Sequence, residues 1–438
     1  MSSVARFSKG GVHPHDCKQL SAGAAIQRLT APEVVVVPLA QHLGAPAKPV
    51  VEKGADVLKG QVLAEAAGVV SARVHSPVSG KVKRIFETPA ASGDRVLAIE
   101  IANDGKDQWV EGVQLDAADA DPALTPAQVL DLIKDAGVVG LGGAAFPTQV
   151  KLAPPPGSGV DTLVLNGAEC EPYLTADHRL MLEQPREVIA GVRLMMKVLG
   201  VKRALIGLED NKQDAFAALT PHAVDGVEVK LLRTRYPQGA EKQLVEALTG
   251  RRVPPGKLPF AVKVVVQNVG TAFAVFEAVA RRKPLVERVV TVTGGAVASP
   301  ANFLVPLGTP VKLLLEKAGL DEERCAALIC GGPMMGRSFR HRDIPVVKAT
   351  SGILALTAAE FTPREEQPCI RCGRCVDACP MSLVPCDLAA NAEFSAAEDA
   401  VGADSCMECG SCQFVCPSRR FLVQWIRLVK AQRRRIKK

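Results

Sequence analysis

The feature that most constrains this chain is a cysteine pattern that occurs twice near its C-terminal end. Each copy has the spacing C-x2-C-x2-C-x3-C-P, first at residues 369–380 and again at residues 406–417. The two copies, with four cysteines each, contain eight of the 13 cysteines. A disulfide framework is typical of small secreted chains, whereas these cysteines are concentrated in one segment of a 438-residue chain. The pattern therefore predicts reduced thiols that bind metal.

Three closely spaced cysteines followed by a fourth and a proline form the run of bacterial two-cluster ferredoxins, in which the fourth cysteine binds the neighbouring cluster. Three thiolates on one tight loop can reach three corners of a cubane. We therefore predict two [4Fe–4S] clusters, one bound by Cys369, Cys372, Cys375 and Cys416 and the other by Cys406, Cys409, Cys412 and Cys379. Structural zinc, usually held by a CxxC…CxxC tetrad, is the alternative and fits this repeat less well. Cys386 lies outside the pattern and is predicted to be a buried thiol.

Charge and composition argue against a nucleic-acid partner. The formal net charge is +7, but residues 419–438 contain nine basic residues and no acid, so the rest of the chain sums to 7 − 9 = −2. Aromatic residues make up 4% of the chain, too few for the stacking surfaces of single-strand binders.

Polar and charged residues interrupt the most apolar long window, 259–280, and the first residues lack the apolar core of a signal peptide. We therefore expect a soluble, cytoplasmic chain.

Short valine-rich runs between glycine and proline occupy residues 33–101 and predict a small all-β domain. Two of them, KGADVLKGQVLAE and HSPVSGKVKRI, resemble the barrel-sandwich hammerhead of lipoyl and biotinyl domains. At the hairpin tip, residues 75–80, this chain lacks the lysine that such carriers modify. We therefore expect a structural role for this domain.

From about residue 120 the pattern changes to alternating strands and helices, which predicts a mostly parallel, doubly wound, Rossmann-like α/β domain. Thr125 and Gln128 form a capping box that opens a helix, and Gly137 can end it. Strand-like runs are expected at 160–167, 203–208 and 261–269, and helices at 185–199 and from Asp210. A strand at 288–295 and a helix capped at Thr309 then predict a small β-grasp unit.

The predicted fold class is therefore a multidomain combination of α/β and β units. Its parts are an N-terminal arm (1–30), the barrel-sandwich domain (31–105), the α/β domain (120–285), the β-grasp unit (286–345), the two-cluster ferredoxin module (362–420) and a basic C-terminal tail (421–438).

A glycine-rich loop reads GVVGLGGAAFPTQVK at residues 137–151. Gly140, Gly142 and Ala145 satisfy G-x-G-x-x-[GA], but a helix precedes them, so the ordinary dinucleotide fingerprint lacks its strand. By itself the loop is also compatible with a tight surface turn. Glycines let backbone N–H groups approach a phosphate, and Lys151 adds a positive charge.

The segment GLGGAAFPTQVK resembles the flavin/NADH loop of the NADH-binding flavoprotein subunit of respiratory complex I. Three later segments resemble further loops of that family in the same order: NGAECEP (166–172), YPQGAE (236–241) and QNVGT (267–271). The resemblance implies that FMN is held by Gly140, Gly142, Gly143, Lys151, Asn166, Gly239, Asn268 and Thr271. It implies that NAD(H) faces Phe146, Glu169, Glu171 and Glu241. Ala168 and Ala240 replace an Asp and a Glu of the family's pattern.

The complete order of segments resembles the C subunit of the Rnf (Rsx) ion-translocating oxidoreductase over nearly all 438 residues. The resemblance implies a peripheral subunit on the cytoplasmic side of the bacterial inner membrane, with integral membrane subunits as partners. It implies electron exchange between NAD(H), FMN, two [4Fe–4S] clusters and ferredoxin or another low-potential carrier. A soluble cobalamin reductase of bacterial microcompartments is the closest alternative. A non-catalytic scaffold that binds zinc is the alternative from another class.

Overall fold

The structure is a computed structural model that describes residues 4–91, 93–361, 365–393 and 397–436. The predicted ferredoxin module and basic tail also include residues 362–364, 394–396 and 437–438, which lie outside the described residues. The described residues form four sheets. Two lie in the N-terminal β region, one in the central α/β region, and one combines an N-terminal strand with strands from residues 287–357.

The N-terminal β region contains a four-stranded sheet in the order β2-β8-β7-β4 and a three-stranded sheet in the order β3-β5-β6. Alternate valine, leucine and isoleucine side chains of these strands share one buried cluster. The first strands of the chain are β1 (Gln27–Arg28), β2 (Val34–Pro38), β3 (Lys48–Pro49), β4 (Asp56–Val57), β5 (Val62–Glu65), β6 (Val74–His75), β7 (Gly80–Pro89) and β8 (Arg95–Asn103). Residues 75–80, which we identified as the hairpin tip, are buried throughout.

The central sheet is parallel, in the order β11-β10-β9-β12. Leu163 and Leu165 pack into one buried cluster with α4 and α7, while Val164 between them packs with α6 in another. The sheet therefore carries helices on both faces, because successive strand residues point to opposite sides. The elements are α1 (Pro126–Asp135), α2 (Thr148–Lys151), β9 (Thr162–Asn166), α3 (Ala176–Glu183), α4 (Pro185–Leu199), β10 (Ala204–Glu209), α5 (Gln213–Leu219), β11 (Val227–Leu232), α6 (Glu241–Thr249), β12 (Val264–Asn268) and α7 (Val269–Ala280).

Local signals predicted most of the helices and strands, with three differences. The strand expected at 261–269 is shorter, because Pro259–Val262 forms a 3-10 helix and β12 spans only Val264–Asn268. The capping box of Thr125 and Gln128 is confirmed, as is the helix at 185–199. The helix expected from Asp210 begins instead at Gln213, because the Asp210 carboxylate accepts from the Thr234 backbone and hydroxyl. Thr309 is not the helix cap, because the helix begins one residue later, with Pro310 at the N-cap position and no side-chain cap. The Thr309 hydroxyl instead donates to the Pro306 carbonyl at 2.8 Å in the preceding turn.

The close packing of α4 on α7 yields a stability prediction. A Cβ added to Gly191 would lie 1.8 Å from the Ala272 carbonyl oxygen in the facing helix. We expect Gly191→Ala to destabilise the protein by about 1–3 kcal/mol, because the helices must separate. Thermal unfolding measures this. A Gly68→Ala control, where no described atom lies within 4 Å of the added Cβ, should melt like the unsubstituted protein, and equal melting of both variants would contradict the packing argument.

The fourth sheet has the order β1-β14-β13-β17-β15-β16. Its first strand comes from the N-terminal arm, and Gln27 and Arg28 pair in parallel with Phe303 and Leu304. Its fourth strand, β17, lies beyond the predicted β-grasp boundary at 345. β17 joins the sheet because it is an apolar run that pairs with β13 and β15. The elements are β13 (Glu287–Thr293), β14 (Ala301–Pro306), α8 (Val311–Lys317), β15 (Cys325–Cys330), β16 (Arg337–Ser338) and β17 (Gly352–Thr357).

The cysteine module contains short helices that follow each cysteine loop and two longer packed helices. These are α9 (Arg374–Asp377), α10 (Pro385–Glu393), α11 (Ser411–Phe414) and α12 (Leu422–Ile436). Leu388 of α10 and Ile426 and Val429 of α12 share a buried cluster. The first half of α12 thus packs on the module.

A buried lysine connects three of the regions. Lys348, which follows the sheet strand β16, donates from Nζ to the carbonyls of Arg73 and Gly137, each at 2.7 Å. Its side chain is fully buried, and burial lowers its pKa to about 7. Each carbonyl belongs to a different region, so Lys348 fixes the β region and the α/β region against the fourth sheet.

Candidate functional site

Four of the predicted thiol ligands line one cavity in the cysteine module. They are Cys379 from the first repeat and Cys406, Cys409 and Cys412 from the second. Apolar residues, among them Pro380, Met407 and Val423, complete the wall. The structure thus brings together a donor set of four sulfurs in an apolar enclosure, which fits an iron–sulfur cubane.

The two repeats have the same loop geometry. In both, the residue before the second cysteine and the glycine after it have positive φ angles, between 53° and 82°. These residues are Arg371, Gly373, Glu408 and Gly410. In both loops, the backbone N–H of the residue two positions after the first cysteine donates to that cysteine's sulfur at 3.4 Å. Such donors stabilise negative charge on sulfur, as a metal-bound thiolate requires.

The other predicted ligand set is more open. Cys369 and Cys372 are exposed, whereas Cys375 is buried and shares an apolar cluster with half-buried Cys416. Cys386, which we predicted to be buried, is half-buried beside Cys375, because α10 begins at the edge of this cluster. Within the described residues, no three His, Cys, Asp or Glu side chains are grouped so as to hold a single metal ion. In a cubane each thiolate binds a different iron atom, so the sulfurs stand farther apart than around one ion.

The glycine-rich loop is held against the start of α7. Leu141 N donates to the Thr271 hydroxyl at 2.9 Å, and Gly140 N donates to the Phe146 carbonyl at 2.9 Å. A Cβ on Gly142 would lie 2.8 Å from the Asn268 amide, so the loop approaches Asn268 as closely as a glycine allows. Gly143 faces open space.

Asn268 and Asn166 lie at the ends of the adjacent strands β12 and β9. Asn268 is the N-cap of α7, accepting from Gly270 N and Thr271 N, and its Nδ2 donates to Asp177 at 2.6 Å. Asn166 donates from Nδ2 to the Gly239 carbonyl at 2.8 Å. The structure therefore gathers three predicted FMN loops at the carboxyl ends of parallel strands, where α/β folds bind ligands.

Lys151 and Glu241, predicted to contact FMN and NAD(H) respectively, form an ion pair. Lys151 Nζ lies 2.7 Å from Glu241 Oε1 and also donates to the Val266 carbonyl at 2.8 Å. Both side chains are about one third exposed, at 31% and 34%. The ammonium group of Lys151 is thus held by two protein oxygens while its side chain remains partly exposed.

The other residues predicted to face NAD(H) are also half-buried. Phe146 is half-buried in the glycine-rich loop. Glu169 accepts from Asp177 N and His178 N at the start of α3, at 2.8 and 3.2 Å. Glu171 accepts from Met334 N and Met335 N at 3.1 and 3.0 Å, and burial raises the pKa of its carboxyl to about 7.

The sequence did not predict the buried lysines that support the backbone of the 166–174 segment. Lys18 donates from Nζ to the carbonyls of Glu169, Glu171 and Leu174, and Lys212 donates to Ala168 O at 2.8 Å. Burial lowers the pKa of Lys18. An isolated lysine reads as a surface residue, so no local signal could have identified this support.

Unpartnered polar atoms next to the predicted FMN residues are compatible with a polar ligand. Gln238, adjacent to Gly239, is fully buried, and both atoms of its amide group lack a hydrogen-bond partner among the described residues. Gln267, adjacent to Asn268, lacks one at Nε2. Buried amides of this kind are normally satisfied, so the donor and acceptor set around these loops fits FMN.

The part of the chain that the structure describes has no helix that is both long and apolar enough to span a bilayer.

Four family models match successive parts of the chain. They are the RnfC barrel sandwich hybrid domain at residues 6–106, the Nuo51 FMN-binding domain at 133–277, the SLBB domain at 289–338 and the 4Fe-4S dicluster domain at 363–417. The predicted combination of α/β and β domains is confirmed at this level. The cofactors of the chain are accordingly FMN and [4Fe–4S] clusters.

Solved structures similar to this chain include an NAD+-reducing [NiFe]-hydrogenase in two states. The H2-reduced form has a TM-score of 0.50 and 20% identity, with the match covering 70% of this chain and 62% of the hydrogenase chain. The air-oxidised form has a TM-score of 0.51 and 21% identity, over 72% and 64% of the two chains. At this identity the likeness concerns the fold alone.

Curated relatives match at higher identity. The C subunit of the Clostridium ljungdahlii proton-translocating ferredoxin:NAD(+) oxidoreductase complex is 46% identical over 97% of this chain and 94% of its own length. The Na(+)-translocating counterpart of Acetobacterium woodii is 45% identical over 87% and 86%. The C subunit of the Rhodobacter capsulatus ion-translocating oxidoreductase complex is 43% identical over 87% and 74%. With nearly its full length matched to the first of these, the chain belongs to the RnfC family, the C subunits of ion-translocating oxidoreductase complexes, and is an electron-transfer subunit of an oxidoreductase.

Proposed function

We propose that this subunit exchanges electrons between NAD(H) and ferredoxin or another low-potential carrier, as part of an ion-translocating complex. The observation that carries the proposal is the junction between its two cofactor regions. The cavity lined by four thiols lies against the domain that contains the FMN loops, and the Tyr236 hydroxyl donates to the Cys409 carbonyl at 2.7 Å. This direct contact supports electron transfer between the two kinds of redox centre.

The FMN-binding residues that we propose are Gly140, Gly142, Gly143, Lys151, Asn166, Gly239, Asn268 and Thr271. Lys151 supplies positive charge for the phosphate, and the glycines open the backbone of the loop. Phe146, Glu169, Glu171 and Glu241 are proposed to face the dinucleotide. When bound, FMN supplies the conversion between two-electron hydride chemistry and single-electron transfer.

The cluster ligands that we propose are the two crossed sets predicted from the repeats, Cys369, Cys372, Cys375 and Cys416, and Cys379, Cys406, Cys409 and Cys412. A backbone N–H donor to sulfur stabilises a thiolate there, and the apolar wall of the cavity excludes water. The finer domain assignment that we propose is a hammerhead at 31–105, a Rossmann-like domain at 120–285, a β-grasp unit and a dicluster module at 362–420. The β-grasp unit, predicted at 286–345, extends to include β17.

We propose a peripheral position on the cytoplasmic side of the bacterial inner membrane, bound to integral membrane subunits. The end of α12 supports this position. Arg434 and Arg435 are exposed there, whereas Lys430, one turn earlier, is paired with Glu408 at 2.5 Å. Exposed basic side chains at a helix end favour an anionic lipid surface or an acidic subunit.

Anaerobic titration with NADH tests the proposed function. The purified protein should contain about eight irons, as two cubanes require, and release FMN when denatured. NADH should bleach the flavin absorbance and then produce the EPR signals of reduced clusters. Dithionite serves as the control reductant. A protein that holds both cofactors and is reduced by dithionite but not by NADH would contradict the proposal.

A further inference from the structure

The contact between the α/β domain and the cysteine module centres on Tyr236. This side chain is 2% exposed, and its hydroxyl donates to the carbonyl of Cys409, one of the four cysteines around the cavity. Its backbone is fixed as well, since Tyr236 and Val12 of the N-terminal arm exchange two hydrogen bonds at 2.8 and 2.9 Å. Tyr236 lies three positions before Gly239, a proposed FMN residue. One loop therefore contacts both cofactor regions.

Further contacts reach the same side of the module. Gly11 N donates to the Ala378 carbonyl at 2.9 Å, and Gln243 Nε2 donates to the Pro380 carbonyl at 3.3 Å. Ala378 and Pro380 flank Cys379 in the chain. The α/β domain and the arm thus hold the backbone around the set of Cys379, whereas Cys369 and Cys372 of the other set are exposed.

Glu171 also takes part in the contact between the α/β domain and the cysteine module. Its carboxyl group lies 3.4 Å from the Tyr236 hydroxyl and accepts from the backbone of Met334 and Met335. Met334 in turn packs with Tyr236 and Cys409 in one apolar cluster. Glu171 therefore holds the loop at 331–336 over the Tyr236–Cys409 hydrogen bond.

We propose that Tyr236 and Glu171 are positioning residues that set the reduction potential of the cluster bound by Cys379, Cys406, Cys409 and Cys412, the cluster that exchanges electrons directly with the flavin. This inference rests on the proposed function. The step that Tyr236 and Glu171 influence is the transfer of one electron, with no bond made or broken. The cluster of Cys369, Cys372, Cys375 and Cys416 is then the outer one and exchanges electrons with the partner.

Charge determines the direction in which each of the two side chains shifts the reduction potential of the cluster. A reduced cluster carries one more negative charge than the oxidised one, and hydrogen-bond donors beside a cluster favour the reduced form. The Tyr236 hydroxyl is such a donor, through the Cys409 carbonyl. The Glu171 carboxylate beside it favours the oxidised form.

The test is an EPR-monitored redox titration of the Tyr236→Phe protein with both cofactors bound. At a fixed potential, loss of one hydrogen bond should lower the ratio of reduced to oxidised inner cluster about fivefold, a shift of about 40 mV to lower potential. The outer cluster should keep its potential. At a pH above 7, where Glu171 is ionised, Glu171→Gln should shift the inner cluster in the opposite direction, because a neutral amide replaces the carboxylate. The signals are assigned with Cys369→Ala, which removes the outer cluster.

Tyr173→Phe is the matched control, since the Tyr173 hydroxyl donates to Glu360 at 2.9 Å and not to the module. Both potentials should stay unchanged in that variant. An unshifted inner cluster in both Tyr236→Phe and Glu171→Gln, or equal shifts of both clusters, would overturn the inference while leaving the proposed function intact. Absence of flavin or clusters from the unsubstituted protein would instead overturn the proposed function.

Discussion

FMN should dissociate from a Lys151→Ala variant while the iron content stays unchanged. Lys151 is the cation of the proposed phosphate site, and a charge-assisted hydrogen bond contributes about 1.5–3 kcal/mol. Its loss therefore weakens FMN binding about 10- to 100-fold. The substitution also removes the partner of Glu241, which lies 2.7 Å from Lys151 Nζ, so an unpaired carboxylate would then face the phosphate.

The measurement is the ratio of flavin released on denaturation to iron and to protein. Lys197→Ala is the control, because Lys197 donates to the Pro122 carbonyl near the end of α4 and not to a proposed FMN loop. That variant should retain both cofactors. Full retention of FMN by Lys151→Ala would exclude Lys151 from the phosphate site. Parallel loss of iron would show that the two cofactor regions do not fold independently.

Local sequence signals predicted the elements of this fold well because those signals act within a few residues. The box of Thr125 and Gln128 closes its two hydrogen bonds within one turn of helix. The strand at β9 is visible as an apolar run that is buried on both faces. The prediction for Thr309 was wrong although it also used a local signal: an N-cap hydroxyl accepts from backbone N–H groups of the first helical turn, whereas the Thr309 hydroxyl donates to the Pro306 carbonyl.

Long-range placement could not be predicted in this way. β1 has two residues, Gln27 and Arg28, and no apolar run of its own, yet it pairs with Phe303 and Leu304. Nothing within a short window encodes that pairing. Lys18 and Lys348 are similar, because each is buried only through backbone carbonyls supplied by distant segments.

The same difference between local and long-range information applies to the candidate site. The spacing of the cysteines is itself typical of loops that bind a cluster, so the ligand sets could be proposed from the repeat alone. The hydrogen bond from Tyr236 to Cys409 joins residues 173 positions apart, and no spacing rule contains it. Sequence resemblance suggested the dinucleotide role that we propose for Glu171, but it could not predict that the carboxyl group also accepts hydrogen bonds from the backbone of Met334 and Met335.

The crossed pairing that we propose for the cysteines predicts the second large effect, a loss of half of the iron. Replacing Cys379, a residue of the first repeat, should abolish the cluster of the second repeat, because its thiol lines the cavity of Cys406, Cys409 and Cys412. Iron should fall from about eight to about four per chain in Cys379→Ala. Iron content alone does not tell which cluster is lost, so the EPR spectrum of the dithionite-reduced protein is needed.

Two reference variants identify the surviving cluster. Cys406→Ala removes the cluster of the second repeat, and Cys369→Ala removes the other. The spectrum of Cys379→Ala should match that of Cys406→Ala, since both variants then retain the cluster of Cys369. A match to Cys369→Ala would mean that each repeat binds its own cluster without crossing. Cys386→Ala should keep about eight irons, because Cys386 lies beside Cys375 without belonging to either set. Loss of a cluster in that variant would make Cys386 a ligand in place of Cys416.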